Sequence, residues 1–321
     1  MDNRIQKTAG IHHITCFVKD PQRNVDFYAG VLGLRLVKKT INFDAPEVYH
    51  LYFGNEKGSP GTIITFFPHE SSRKGRIGGG QVGITTYVVP IGALDFWKAR
   101  LTALDVPFSE CSRFSENYIE FADPDGLQLE IVEREGGALN AWSFGGIPTD
   151  KAIKGFGGAV LYSTASSKSM EVLEHVLGFD KVGEDDDFIR YKAEGDIGNI
   201  IDLNKESMGW GISGAGTVHH IAWRAKDFED HEAWRSHVEK SGFYPTPIID
   251  RQYFHAIYFR EPGGILFEIA TDPPGFANDE PQDRLGEKLM LPAWFEDSRA
   301  DIEKNLSPIQ VRELESIKQE T

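Results

Sequence analysis

At 321 residues the chain exceeds what one compact core usually serves and is long enough for two domains of roughly 150 residues each. Its 34 Lys+Arg against 49 Asp+Glu give a net charge of −15 with no basic run, which excludes the usual means of gripping nucleic acid. The first residues (MDNRIQKTAG) hold no apolar leader core, no window approaches a membrane span of roughly 18 apolar residues, and two cysteines, Cys16 and Cys111, cannot build a disulfide framework; a cytoplasmic setting without a membrane partner is expected.

Taken in chain order, four similar units appear, each opening with an apolar strand: GIHHITCFV at 10–18, GQVGITTYVV at 80–89, GFGGAVLYS at 155–163 and TVHHIAWRA at 217–225. An amphipathic helix should follow each strand, as the spacing of Leu94, Trp97, Leu101 and Leu104 illustrates. The first and third helices end alike, at Gly33 and Gly178, where a glycine can stop the helix. The second and fourth units end in a tight turn, ADPDG at 122–126 or EPGG at 261–264, followed by a strand with an acidic residue, LQLEIVE (127–133) or ILFEIAT (265–271). Further strands fit at 49–54, 117–122 and 254–259, and Gly/Ser-rich connections fall at 57–61, 71–80 and 134–155.

The expected fold is therefore α+β, with four βαβββ modules at 8–68, 80–134, 154–206 and 216–272, then a polar packing tail at 273–321. The tail should hold one or two helices carrying Ile302, Leu306, Val311, Leu314 and Ile317.

Ten histidines are scattered along the chain, and a single one on an apolar strand is ordinarily a satisfied core residue. The pairs His12-His13 and His219-His220 differ, because they recur at the same place in modules one and four, where modules two and three hold Val82-Gly83 and Gly157-Gly158. Strand alternation puts Ile14, Cys16 and Val18 under the helix and leaves His13 and Thr15 on the other face. By the same rule Ile221 and Trp223 turn inward, while His220 falls with Ala222 and Arg224. Two imidazoles hold a divalent ion better with a carboxylate, and Glu268, flanked by Phe267 and Ile269, is costly to bury ionised without a cation. His13, His220 and Glu268 are thus the expected metal ligands; Glu130 is the counterpart in module two, which has no histidine, and is read as capping an edge or pairing with a basic neighbour. Only a pairing of module one with module four gathers all three ligands, so these modules should form a metal-bearing half-barrel, and modules two and three a second half-barrel without metal.

These residues resemble the vicinal oxygen chelate superfamily, which includes glyoxalases, fosfomycin-resistance proteins and extradiol dioxygenases. The resemblance covers roughly residues 9–272 and rests on HHIT (12–15), VHHIAW (218–223), DRQYFHAIYFREPGGILFEIATDPPGF (250–276) and, in the tail, LGEKLMLPAWFE (285–296). Within it the chain looks most like the hydroquinone-type ring-cleaving dioxygenases, including the quinone- and catechol-responsive ones of Bacillus. The resemblance implies a glyoxalase/bleomycin resistance/dihydroxybiphenyl dioxygenase-like fold, iron on the second histidine of each pair and the glutamate, and O₂ and a small aromatic compound as partners. Fe(II) suits a site of two imidazoles and one carboxylate with open positions, with Mn²⁺ or Zn²⁺ as alternatives in the isolated protein. Self-association into a homo-oligomer is a further expectation.

The resemblance also implies that His12, His219, Thr15, Arg251 and Tyr258 line the substrate pocket. His219 would carry a phenolic proton, Arg251 offset charge developing on oxygen, and Tyr258 donate a hydrogen bond. Strict alternation turns His12 and His219 away from the metal face, and a bulge at the start of each strand would reconcile the two. The rival readings are a glyoxalase-type isomerase/lyase or thiol transferase, which commonly uses a fourth protein ligand where this chain has Thr65, and a non-enzymatic resistance protein that sequesters an aromatic compound.

Overall fold

The computed structural model of the protein describes residues 6–312, so Leu314 and Ile317 of the expected tail helix lie outside the described residues. The first repeat comprises β1 (Ile11–Val18), α1 (Pro21–Val25), β2 (Arg35–Asn42), β3 (Ala45–Gly54) and β4 (Ile63–Pro68). The second has β5 (Gln81–Val89), α2 (Leu94–Ala103), β6 (Phe108–Arg113), β7 (Glu116–Ala122) and β8 (Gln128–Glu133). The third has β9 (Gly155–Tyr162), α3 (Ser166–His175), β10 (Asp180–Glu184), β11 (Phe188–Lys192) and β12 (Ile200–Asn204). The fourth has β13 (Thr217–Ala225), α4 (Phe228–Lys240), β14 (Ile249–Asp250), β15 (Phe254–Arg260) and β16 (Leu266–Pro274). No helix among the described residues is long and apolar enough to cross a membrane.

Two eight-stranded mixed sheets result, each curled into a half-barrel. One runs β14-β15-β16-β13-β1-β4-β3-β2 and joins the fourth repeat to the first; the other runs β10-β11-β12-β9-β5-β8-β7-β6 and joins the third to the second. In each sheet the two opening strands pair antiparallel at the centre, each flanked by a parallel strand of its own repeat. Alternation sorts the side chains as the pattern demands: Ile14, Cys16, Val18, Ile221 and Trp223 enter the main core. The first helix departs from a plain amphipathic one, because after α1 the chain widens into a π-helical segment, Asp26–Val31, with five buried residues. Its last carbonyls, on Gly30 and Val31, accept hydrogen bonds from the Arg100 guanidinium of α2.

The central pair of each sheet carries two bulges. In β1 the register skips from Ile11 to His13 opposite Trp223 and Ala222, so His12 is the extra residue; in β13 it skips from His220 to Val218, so His219 is the extra one. In the second sheet the extra residues are Gly83 and Gly157. The counterparts of His12-His13 in module two are therefore Gly83-Ile84 rather than Val82-Gly83, a shift of one residue set by the bulge; in module three they are Gly157-Gly158. At Gly158, with φ +152°, a Cβ would lie 2.1 Å from the Ile200 carbonyl oxygen, so this position has no room for a side chain.

After β16 the tail joins the two free edges of the first sheet. Gly275 N–H donates to Tyr253 O, and Met290 N–H donates to Lys39 O on β2. Between them the fully buried Lys38 donates to Asp279 at 2.6 Å and Glu280 at 2.7 Å. A final short helix, α5 (Arg299–Asn305), buries Ile302.

The half-barrels are locked together by turn carboxylates. Asp123, in the ADPDG turn, accepts Tyr28 OH at 3.1 Å on one oxygen, and the N–H groups of Asp125, Gly126 and Leu127 on the other. Glu261, in the EPGG turn, accepts Ser169 OH of α3 at 2.7 Å. Burial pushes the Asp123 carboxyl up to about 6. A carboxyl raised in the folded state binds its proton more tightly than in the unfolded chain, so stability falls as pH rises from about 4 to about 6 and then levels. A rise of this size is worth about 3 kcal/mol. Asp123→Asn should remove this slope, so that in urea denaturation the variant gains about 2–3 kcal/mol on the parent between pH 4 and pH 7; parallel curves would refute the assignment.

Candidate metal centre

β1, β13 and β16 carry three donors to one point. His13 Nε2 lies 3.3 Å and His220 Nε2 2.8 Å from the same Glu268 oxygen, and the two Nε2 atoms are 3.3 Å apart. All three residues are buried, and they form a set able to hold a metal ion. The parallel pairing of β13 with β16 sets Glu268 beside Ala222, two residues beyond His220 and therefore on the same face.

Glu268 is fully buried, and neither carboxylate oxygen has a well-aligned hydrogen bond, even though His220 Nε2 is near. An ionised carboxylate left so costs several kcal/mol. Burial opposes its ionisation, yet the adjacent His13 and His220 imidazoles outweigh burial and hold the carboxyl well below the usual range. Those features fit a divalent cation: the missing partner of the carboxylate is a positive charge that two imidazoles share.

The bulges explain the paired histidines. His12 Nδ1 sits 2.9 Å from His13 Nδ1, and His219 Nδ1 sits 2.9 Å from His220 Nδ1. With Nε2 of His13 and His220 serving as donor atoms to a metal, their Nδ1 must carry the hydrogen and donate it to His12 and His219. Such outer partners fix the ligand tautomer and ring angle. Burial lowers the His12 imidazole well below its ordinary value, so it stays neutral and able to accept.

In front of the three donors lies a cavity of about 320 Å³. Of the five further residues expected at the pocket, His219, Arg251 and Tyr258 are on its wall. His12 and Thr15 lie behind it, His12 packed on His13 and Phe254, and Thr15 fully buried beneath Thr65. Arg251 Nε donates to Tyr258 Oη at 3.2 Å, and its NH1 reaches Asp44 at 2.9 Å across the cavity mouth. Aromatic rings of Phe17, Phe43, Phe67 and Phe254 make up much of the remaining wall.

Sequence reasoning missed His50 and Tyr52, which also face this cavity. The signal that could have found them was alternation on β3: His50 and Tyr52 share one face, whereas Leu51 and Phe53 enter the core. No pairing marked them, because they meet the histidines of β1 and β13 only after the sheet curls.

In the second half-barrel the place of Glu268 is taken by Glu130, opposite Thr86, and by Asp202, opposite Val160. Here the cation is a guanidinium. Arg113 donates to Glu130 through NH1 and NH2 at 3.0 and 2.9 Å and to Asp202 through Nε at 2.7 Å. The expected basic partner of Glu130 is thus Arg113.

Comparison with known proteins agrees with this architecture. The profile of the Glyoxalase/Bleomycin resistance protein/Dioxygenase superfamily matches residues 10–131 and 156–269. A Bacillus subtilis protein named "Putative ring-cleaving dioxygenase MhqO" is 60% identical over 97% of this chain and 99% of its own length. The chlorohydroquinone/hydroquinone 1,2-dioxygenase of Sphingobium indicum is 33% identical over 94% of this chain and 97% of its own. A crystal structure of a B. subtilis protein superposes with a TM-score of 0.95 at 60% identity, covering 96% of this chain and all of that one.

Loading the metal-free protein anaerobically with Fe(II) should give one retained ion per chain by elemental analysis. His13→Ala and Glu268→Ala should each abolish retention, and His12→Phe and His219→Phe should weaken it about 10–100-fold. Glu130→Gln should lower the melting temperature and leave the ion in place; loss of the ion in that variant alone would contradict the assignment.

Proposed function

The chain belongs to the Glyoxalase/Bleomycin resistance protein/Dioxygenase superfamily, and from that membership we propose that it is a non-haem Fe(II) ring-cleaving dioxygenase, acting with O₂ on hydroquinone- or catechol-type aromatic compounds. The observation that carries this reading is a two-histidine, one-carboxylate donor set opening onto an aromatic-walled cavity of about 320 Å³, the size of a small-molecule site. His13, His220 and Glu268 would hold the iron, which when bound supplies open positions for a substrate oxygen and for O₂. The names of the two relatives, a ring-cleaving and a hydroquinone dioxygenase, support the same chemistry.

The protein's own groups then have definite tasks. Phe17, Phe43, Phe67 and Phe254 enclose a planar ring and exclude water. Burial, with the Glu268 charge, keeps the Tyr258 phenol well above its ordinary value and so protonated. Since Tyr258 Oη accepts from Arg251, its own hydrogen is left for an oxygen on the metal side. Arg251 remains cationic and offsets negative charge on that oxygen. His219 has its Nδ1 engaged by His220, so its Nε2 presents N–H to the cavity. It is therefore set to donate a hydrogen bond to an oxygen in the cavity, rather than to take a proton at that nitrogen.

The isomerase alternative draws no support from the donor set, because Thr65 occupies the place of a second carboxylate, and the three-residue set contains no fourth ligand among the described residues. The test is oxygen consumption by the anaerobically Fe(II)-loaded protein with hydroquinone, methylhydroquinone and catechol. Uptake with at least one is expected, and Arg251→Met should lower kcat/KM about 100-fold, the scale of losing one charge-stabilising donor. No uptake with any of the three, combined with isomerisation of a methylglyoxal–glutathione adduct, would replace this reading by the glyoxalase one.

A further inference from the structure

His50 and Tyr52 form, with two threonines, a line of hydrogen bonds running from the cavity into the sheet. Tyr52 Oη lies 2.8 Å from His50 Nδ1, His50 Nε2 lies 2.7 Å from Thr65 Oγ1, and Thr65 Oγ1 donates to Thr15 Oγ1 at 2.9 Å. Tyr52, Thr65 and Thr15 are buried, so no solvent competes for these groups. Burial lowers the His50 imidazole well below its ordinary value and raises the Tyr52 phenol well above its own, so the line consists of neutral groups.

Neutrality fixes the direction. Thr65 spends its only hydrogen on Thr15, so its oxygen must accept from His50, and Nε2 of His50 carries the ring hydrogen. Nδ1 is then bare and accepts the Tyr52 O–H. With that hydrogen committed, Tyr52 can offer the cavity only oxygen lone pairs. The other polar side chains lining the cavity have the opposite sense or are already engaged: the Arg251 guanidinium, the Tyr258 hydroxyl and the His219 N–H are donors, the exposed Asp44 is tied to Arg251, and the Asn42 amide oxygen accepts from the Asp44 N–H.

We infer that Tyr52, oriented by His50, accepts a hydrogen bond from a ring hydroxyl of the substrate, making this pair the element that selects an aromatic compound with a free second O–H. The inference rests on the aromatic-diol reading above. Tyr52 would touch the substrate, while His50 is a positioning residue that acts through it. Thr65 allows the arrangement, since it stands opposite Thr15 as Glu268 stands opposite Ala222, and a hydroxyl there gives His50 an acceptor.

The test compares anaerobic binding of hydroquinone and of 4-methylphenol, in which a methyl group replaces the second hydroxyl, to the Fe(II)-loaded protein. The parent should prefer hydroquinone about 10-fold or more, the scale of one buried hydrogen bond with its acceptor left unpaired otherwise. Tyr52→Phe should erase the preference, and in turnover should raise KM for hydroquinone about 10-fold with a smaller change in kcat. His50→Leu should act likewise, His50→Asn should restore the preference by again accepting from Tyr52, and the His50→Leu/Tyr52→Phe double variant should be no worse than Tyr52→Phe. Imidazole ¹⁵N spectra of the parent, independent of any variant's folding, should show His50 protonated at Nε2. An Nδ1-protonated His50, equal binding or none of the two phenols by the parent, or an undiminished preference in Tyr52→Phe would overturn the inference. A parent that discriminates between the phenols yet consumes no oxygen would leave the pair standing and refute the ring-cleavage reading instead.

Discussion

A buried carboxylate needs a positive partner, and the two halves of this molecule are arranged around that requirement. Glu268 sits at the centre of an apolar sheet with no aligned hydrogen bond to either oxygen. Two imidazoles approach it through Nε2, the arrangement that a shared divalent cation completes. In the other half-barrel the equivalent carboxylates, Glu130 and Asp202, meet the same electrostatic demand with the Arg113 guanidinium, supported by Arg190. One half-barrel is thereby filled by its own side chains, and the other is left to bind something from outside.

The bulges connect this electrostatic difference to the backbone. An extra residue in an antiparallel pair re-aims its side chain without breaking the rest of the ladder. Where it is His12 or His219, the side chain comes round to meet its neighbour and holds that neighbour's outer nitrogen. Where it is Gly83 or Gly157, no side chain exists to do so, and at Gly158 the Ile200 carbonyl fills the space a ligand would need. The same backbone irregularity thus supports a residue set able to hold a metal ion in one sheet and close packing in the other.

Closure of the first sheet makes the centre a pocket. Its free edges, β14 and β2, are spanned by the Arg251–Asp44 ion pair and by the tail with its buried Lys38–Asp279–Glu280 cluster. Phe276 of the tail packs with Tyr52 and Tyr253 beneath the cavity. The tail therefore contributes to the enclosure from below as well as packing on the sheet.

The sequence by itself determined the four repeats, the alternating faces of their opening strands, and the set of His13, His220 and Glu268, because repetition and period-two burial are local properties that a linear pattern carries. Ligand arithmetic even required the first and last repeats to share a sheet. What only the tertiary structure decided depends on distances between strands remote in the chain. It put His12 and Thr15 behind the cavity, brought His50 and Tyr52 of β3 into it, gave Glu130 its partner in Arg113, and moved the module-two counterpart to Gly83-Ile84. A one-residue bulge or the curl of a sheet changes which side chains meet while leaving the hydrophobic pattern almost untouched, so the pattern can show that His50 and Tyr52 share a face but not what that face meets.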